Sequence, residues 1–248
     1  MKPIVTALAV LAVLALLSPR FAPATSEDLP PSVDSARPVS VSGSAPVGAV
    51  DPEVRDITLW CQMPDIDLGL LVCSQIDATY PYEAWVADDY QSPSDNAVDS
   101  IRWWGGTWQS METCQPDEFK ITFYAHDGPC LPGEILYEET IAGDDCTVVE
   151  IGTERYEYVA ALGTPMPQQT GQSYWLTIQA AMPFDPCGMW GWMTSLEVWG
   201  CASVLRFPLL GIDDWEEHGN GDMAFCLYSD EPVAVESATW TTMKAAYR

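Results

Sequence analysis

Phe119-Lys120-Ile121-Thr122-Phe123-Tyr124 sets Phe119, Ile121 and Phe123 on one side of an extended chain, and Lys120, Thr122 and Tyr124 on the other. Successive side chains of a strand point to opposite faces, so a period of two buries one face and wets the other. The same alternation runs through Tyr174-Trp175-Leu176-Thr177-Ile178-Gln179 and Met223-Ala224-Phe225-Cys226-Leu227-Tyr228. Outward from these, Ala84–Asp88, Asp99–Trp104, Glu134–Ile141, Thr147–Ile151, Tyr156–Leu162, Trp190–Ser195 and Val204–Leu209 read as further strands. Turn signals separate them: Ser92-Pro93-Ser94, Asp127-Gly128-Pro129, Leu131-Pro132-Gly133, Gly143-Asp144-Asp145 and His218-Gly219-Asn220-Gly221. No window carries a long amphipathic helix. Many short strands between turns predict an all-β, antiparallel two-sheet sandwich of jelly-roll type, with an open barrel as the alternative.

The ends of the chain read differently. Lys2, the apolar run Ile4 to Leu17 and the small-x-small triplet Ala22-Pro23-Ala24 predict a signal peptide over 1–24. That run is shorter than the ~20 residues needed to span a bilayer. Residues 25–52 are rich in Pro, Ser, Ala and Val without an aromatic ring, which predicts a flexible leader. Aromatic density rises at Trp60, and 53–230 is the predicted sandwich domain, followed by a polar tail over 231–248. The chain is expected to be secreted, extracellular or periplasmic, with no membrane insertion once the signal is cut.

The formal charge is −26, and removing Lys2 and Arg20 leaves 8 basic against 36 acidic residues, or −28. So acidic a surface repels phosphate backbones and argues against nucleic acid as a partner. All eight cysteines (Cys61, Cys73, Cys114, Cys130, Cys146, Cys187, Cys201, Cys226) lie beyond the signal. An even number in an oxidising compartment predicts disulfides, although eight cysteines allow 105 pairings. Proximity along the chain suggests Cys61–Cys73, Cys114–Cys130 and Cys187–Cys201, leaving Cys146–Cys226. No CxxC occurs, and His126 and His218 stand at no zinc-like spacing.

Val86-Ala87-Asp88-Asp89-Tyr90, then Ile101-Arg102-Trp103-Trp104-Gly105-Gly106, then Pro116 to Tyr124, Pro132-Gly133-Glu134-Ile135-Leu136 and Asp222 to Tyr228 follow one another in order. This series resembles a family of uncharacterised secreted bacterial β-sandwich domains with ADDF, WWG, PdxFxIxFYxD…PG and DMAFxLY motifs. Tyr90 stands where that family usually has Phe. The resemblance implies the fold and export, and it transfers no catalytic residue.

Three constellations could carry function. Sugars stack their C–H faces on indole rings, so an exposed set of tryptophans would suit a glycan. Trp103 and Trp104 point to opposite faces of a strand, so at least one belongs to the core; Trp190 and Trp192 share a face, as a packed interior also requires. Trp108 and Trp215, near turns, are the rings expected at the surface, and with Trp104 they form the predicted ligand-binding set. Asp88, Asp89 and Asp222 are the first candidates for a structural calcium ion, which takes six to eight oxygens. Asp127, Asp144, Asp145, Asp213, Asp214, Glu216 and Glu217 are further loop carboxylates, and Asp88 and Asp222 could equally accept backbone hydrogen bonds. For catalysis, Glu134, Glu138 and Glu139 offer paired carboxyls. No GxSxG accompanies either histidine, and His126 beside Asp127 reads as a turn residue. The expectation is a non-catalytic module that binds glycan or another polymer, with calcium as its one candidate cofactor. The alternatives are a structural or interaction protein of the cell surface or matrix, and an extracellular hydrolase.

Overall fold

The computed structural model describes residues 57–80, 82–219 and 221–230. The predicted signal peptide, leader and C-terminal tail, and residues 53–56 of the predicted domain, lie outside them. Eight strands form the frame: β1 (Ile57–Gln62), β5 (Trp85–Gln91), β6 (Val98–Trp108), β7 (Glu118–Asp127), β8 (Leu131–Ala142), β10 (Arg155–Met166), β11 (Ser173–Ala181) and β15 (Phe225–Ser229). One sheet runs β1-β15-β6-β10; in the other, β11 lies between β5 and β7, and β7 pairs β8. Apart from the β7–β8 hairpin, the frame strands alternate between the two sheets in chain order, which is the strand order of a jelly roll.

Short strands extend this frame. β9 (Thr147–Gly152) lies outside β10, and β12 (Met189–Met193) joins β6 to β2 (Leu71–Cys73). The hairpin β13–β14 (Val204–Phe207, Ile212–Glu217) continues the second sheet beyond β5. β3 (Gln75–Asp77) pairs with β11 in parallel, against an otherwise antiparallel pattern, and with β4 (Tyr82–Glu83). Among the described residues the one α-helix, α1 (Phe184–Cys187), has four residues, and no helix there is long and apolar enough to cross a membrane.

The alternating residues meet at the centre. Phe119, Ile121 and Phe123 join Tyr174, Leu176, Ile178, Met223, Phe225 and Leu227 in one buried cluster with Trp103, Trp190 and Trp192. The opposite face of β11 is not wet as the alternation suggests. Trp175, Thr177 and Gln179 are buried too, because Ala87, Tyr124 and Val204 pack beside Trp175, with Trp215 and Cys201 against them. Leu131-Pro132-Gly133, read as a turn, instead opens β8. That strand pairs only with β7, and an edge tolerates a proline that lacks an N–H donor.

The disulfides differ from the proximity pairings in every case. Cys61 joins Cys226, Cys114 joins Cys187 and Cys130 joins Cys201, while Cys73 and Cys146 are free thiols. The cause is sheet order. β1 pairs with β15 so that Cys61 stands directly opposite Cys226, 165 residues away. Burial raises the Cys73 thiol to about 12 and the Cys146 thiol to about 11, so both stay protonated near neutral pH.

Candidate functional site

The three predicted rings do not share a surface. Trp104 is 2% exposed, packed with Met193, Ala224 and Cys226 on the outer side of its sheet, and its indole N–H donates to Glu157 at 3.0 Å. It is a packing residue, because β12 and the start of β15 cover the face that strand alternation gives it. Trp108 lies half-buried on the same strand, against Gly191. Trp215 sits in the other sheet, edge-on to Tyr124 with ring centroids 6.2 Å apart.

The three predicted aspartates do come to one place. Asp88 and Asp89 are neighbours on β5, one aimed into the sandwich and one outward, yet they are 0% and 4% exposed; Asp222, just before β15, is 0% exposed. Each carboxylate accepts a backbone N–H from the long excursion between β12 and β15. Met223 donates to Asp88 at 2.7 Å, Cys201 to Asp89 at 2.8 Å, and Trp199 to Asp222. Gly200 (φ +73°) makes this approach possible, since a Cβ there would lie 2.5 Å from Asp89 Oδ2. Desolvation pushes the Asp88 carboxyl well above the usual range, with Asp222's charge adding to it. Desolvation likewise lifts Asp222 to about 6, against the Trp199 N–H that holds it down. Asp89 is raised by burial, while the Cys201 N–H and nearby His126 lower it.

The Ser203 N–H also lies close enough to lower the Asp222 carboxyl, yet two oxygens here have no partner within hydrogen-bonding geometry. They are Asp222 Oδ1 and Gln62 Oε1, and Gln62 (0% exposed) donates through Nε2 to Asp222 Oδ2 at 3.4 Å. The carboxylate oxygens of the three aspartates are not drawn into one cage. Among the described residues, the one group of three or more histidine, cysteine or carboxylate side chains with ligand atoms all within 4.8 Å of one another is Asp89, His126 and Cys201. Cys201 is in a disulfide, so its sulfur offers no thiolate to a metal.

Beside this cluster the surface opens into two hollows. A smaller one of about 300 Å³ is lined by Trp60, Cys61, Gln91, Glu197 and Trp199. Trp199 is 50% exposed, its indole N–H donates to Glu197 at 2.8 Å, and Trp60 stands edge-on to it with ring centroids 6.4 Å apart. A larger one of about 740 Å³ takes in Gln168, Gln169, Gln172, Tyr174 and His126. Gln91 links them, since its amide donates at 3.1 Å to the carbonyl of Gly171, which lines the larger hollow.

Residues 58–228 match the family described as a domain of unknown function, DUF7901. The chain belongs to the DUF7901 family. No curated protein and no solved structure matches it.

The remaining candidates of this DUF7901 domain stand apart. Glu138 pairs with Lys120 at 3.0 Å, Glu139 accepts the Gly163 N–H at 3.0 Å and is bonded by the Tyr137 hydroxyl, and Glu134 is exposed. His126 lies at the end of β7 rather than in a turn; its Nδ1 accepts from Trp175 Nε1 at 3.1 Å. Ser203 Oγ is 2.8 Å from His218 Nε2, but Ser203 is 1% exposed and its hydroxyl donates to the Gly221 carbonyl. That geometry closes the loop before β15 and leaves the serine buried. Trp199, Trp60 and the glutamines were not among the predicted ligand residues. Trp199 carried a signal all the same: it stands between Glu197 and Gly200-Cys201, in a stretch without alternation, where a large ring has no strand face to fill.

Proposed function

We propose that this DUF7901 domain is an exported, non-catalytic binding module that holds a neutral polymer, in the first instance a glycan, on the Trp199 end of its sandwich. One observation carries the reading: a half-exposed indole tethered by Glu197 adjoins hollows edged by four glutamine amides. An indole face suits sugar C–H groups, and amides with a carboxylate suit hydroxyls. The strongly acidic chain favours an uncharged ligand over an anionic one, and nucleic acid over none of the alternatives. Three disulfides and the absence of a membrane-spanning helix among the described residues support an extracellular or periplasmic location.

The test is affinity electrophoresis of the full chain in gels containing neutral polysaccharides, alongside Trp199→Ala and Gln168→Ala. Retardation of the wild type, weakened about tenfold or more by Trp199→Ala, is the expected result. Equal mobility of wild type and variants across the panel overturns it. A second reading has its own support. Met63, Ile66, Leu68, Leu70, Leu196 and Val198 are all exposed, and the Leu196 N–H donates to the Met63 carbonyl at 3.1 Å, which joins the two segments. Exposed apolar patches mark protein contacts. Capture of a cell-surface or matrix protein that Leu68→Asp abolishes and Trp199→Ala spares would favour an interaction unit.

A further inference from the structure

We propose that the buried polar cluster formed by the end of β1, the middle of β5 and the residues leading into β15 is a calcium site, with Asp222 Oδ1, Gln62 Oε1 and the Asp88 carboxylate as its protein ligands. The first argument is satisfaction of polar groups. Nearly all buried polar atoms in native proteins have a partner, and an exception asks for an ion or a water. Two adjoining exceptions occur here, on Gln62 and Asp222, which are hydrogen-bonded to each other through their remaining atoms. Both orphans are oxygens, so the group that completes them is a cation or a hydrogen-bond donor.

Charge decides between these. Asp88, Asp89 and Asp222 sit together in the protein, and the ion pairs among the described residues, Arg102–Glu157 and Lys120–Glu138, lie on other strands. Buried carboxylates without a Lys or Arg partner are costly, and a divalent ion offsets two negative charges at once. The donors are all hard oxygens, carboxylate and amide, which select calcium over zinc or copper. Asp89 is placed as a neighbouring charge rather than a ligand, since it points to the other face of β5 and Gly200 packs on its Oδ2. Water and backbone carbonyls complete the shell.

The position of the site matters beyond the metal. Asp222 also holds the Trp199 N–H and Asp89 holds the Cys201 N–H, so the carboxylates anchor both sides of the segment that displays Trp199. A bound ion would therefore stiffen the surface of the proposed binding module. That last step rests on the glycan reading, whereas the metal itself does not.

The experiment uses the full chain without glycan, so it stands or falls separately. Thermal melts compare saturating calcium with EDTA, and terbium luminescence is read on tryptophan excitation. The expected result is a Tm about 5–10 °C higher when calcium exceeds its Kd by ~100-fold. Asp222→Asn should abolish that rise and the terbium signal, while the exposed pair Asp213→Asn/Asp214→Asn keeps both. Gln62→Met keeps all three carboxylates and provides the reading if Asp222→Asn does not fold; it should weaken calcium about tenfold or more. Identical melts in calcium and EDTA overturn the proposal. So does a calcium shift that Asp222→Asn or Gln62→Met keeps and the Asp213/Asp214 variant loses.

Discussion

Two acidic regions of the molecule share almost nothing physically. Asp213, Asp214, Glu216 and Glu217 are all exposed on β14, where water solvates each charge. Asp88, Asp89 and Asp222 are buried and hold the backbone of the β12–β15 excursion. Two disulfides flank the buried group: Cys61–Cys226 joins the residue before Gln62 to β15, and Cys130–Cys201 fixes the residue whose N–H reaches Asp89. Nothing comparable clamps the outer edge of β14. The number of acids is therefore a poor guide to function, and the informative carboxylate is the one taken out of water.

The largest test of this contrast removes a clamp. Cys61→Ser/Cys226→Ser opens a loop of 165 residues, and denaturant unfolding should show a loss of about 4–5 kcal/mol. The free thiols serve as the control: Cys73→Ser and Cys146→Ser should each stay within about 1 kcal/mol.

A single carboxylate comes next. Asp88→Ala leaves the Met223 N–H buried without its acceptor, with an expected loss of about 2–3 kcal/mol in the same measurement. Asp213→Ala should change stability by no more than about 0.5 kcal/mol. Equal effects at the two positions would dissolve the distinction between the regions.

The smallest effect sharpens the boundary between them. Burial pushes His218 down to about 4 from 6.5, so the neutral ring is the native form. The stability it supports is whole above about pH 6.5 and is lost as pH falls toward 4. Wild type should lose about 1–2 kcal/mol more than His218→Gln between neutral and acid pH, after allowance for solvent screening. Asp88 and Asp222, with raised pKa values, give the opposite trend in both proteins and cancel in the difference.

Much of the frame was legible in residues such as Phe119, Ile121 and Phe123, whose alternation is a local property of a strand. β2, β3 and β4 were not, being two or three residues long and too short to show a period. β14 was hidden for a different reason: Ile212-Asp213-Asp214-Trp215-Glu216-Glu217 has no alternation, and its strand form comes from pairing with β13. The aspartate trio was picked out as carboxylates at strand ends, whereas Asp88 and Asp89 lie in the middle of β5, which runs on to Gln91. Gln62, whose Oε1 has no partner beside the trio, carried no signal because a buried amide looks like any glutamine in a one-dimensional string.

By itself the chain determined that alternating apolar residues would pair into layered sheets, because side-chain direction follows from backbone geometry within a few residues. Which cysteines met, which tryptophans stayed dry and which carboxylates lost their water were decided only in three dimensions. Those outcomes depend on β1 lying beside β15 and β5 beside β11, contacts between residues up to 165 positions apart that no local pattern encodes.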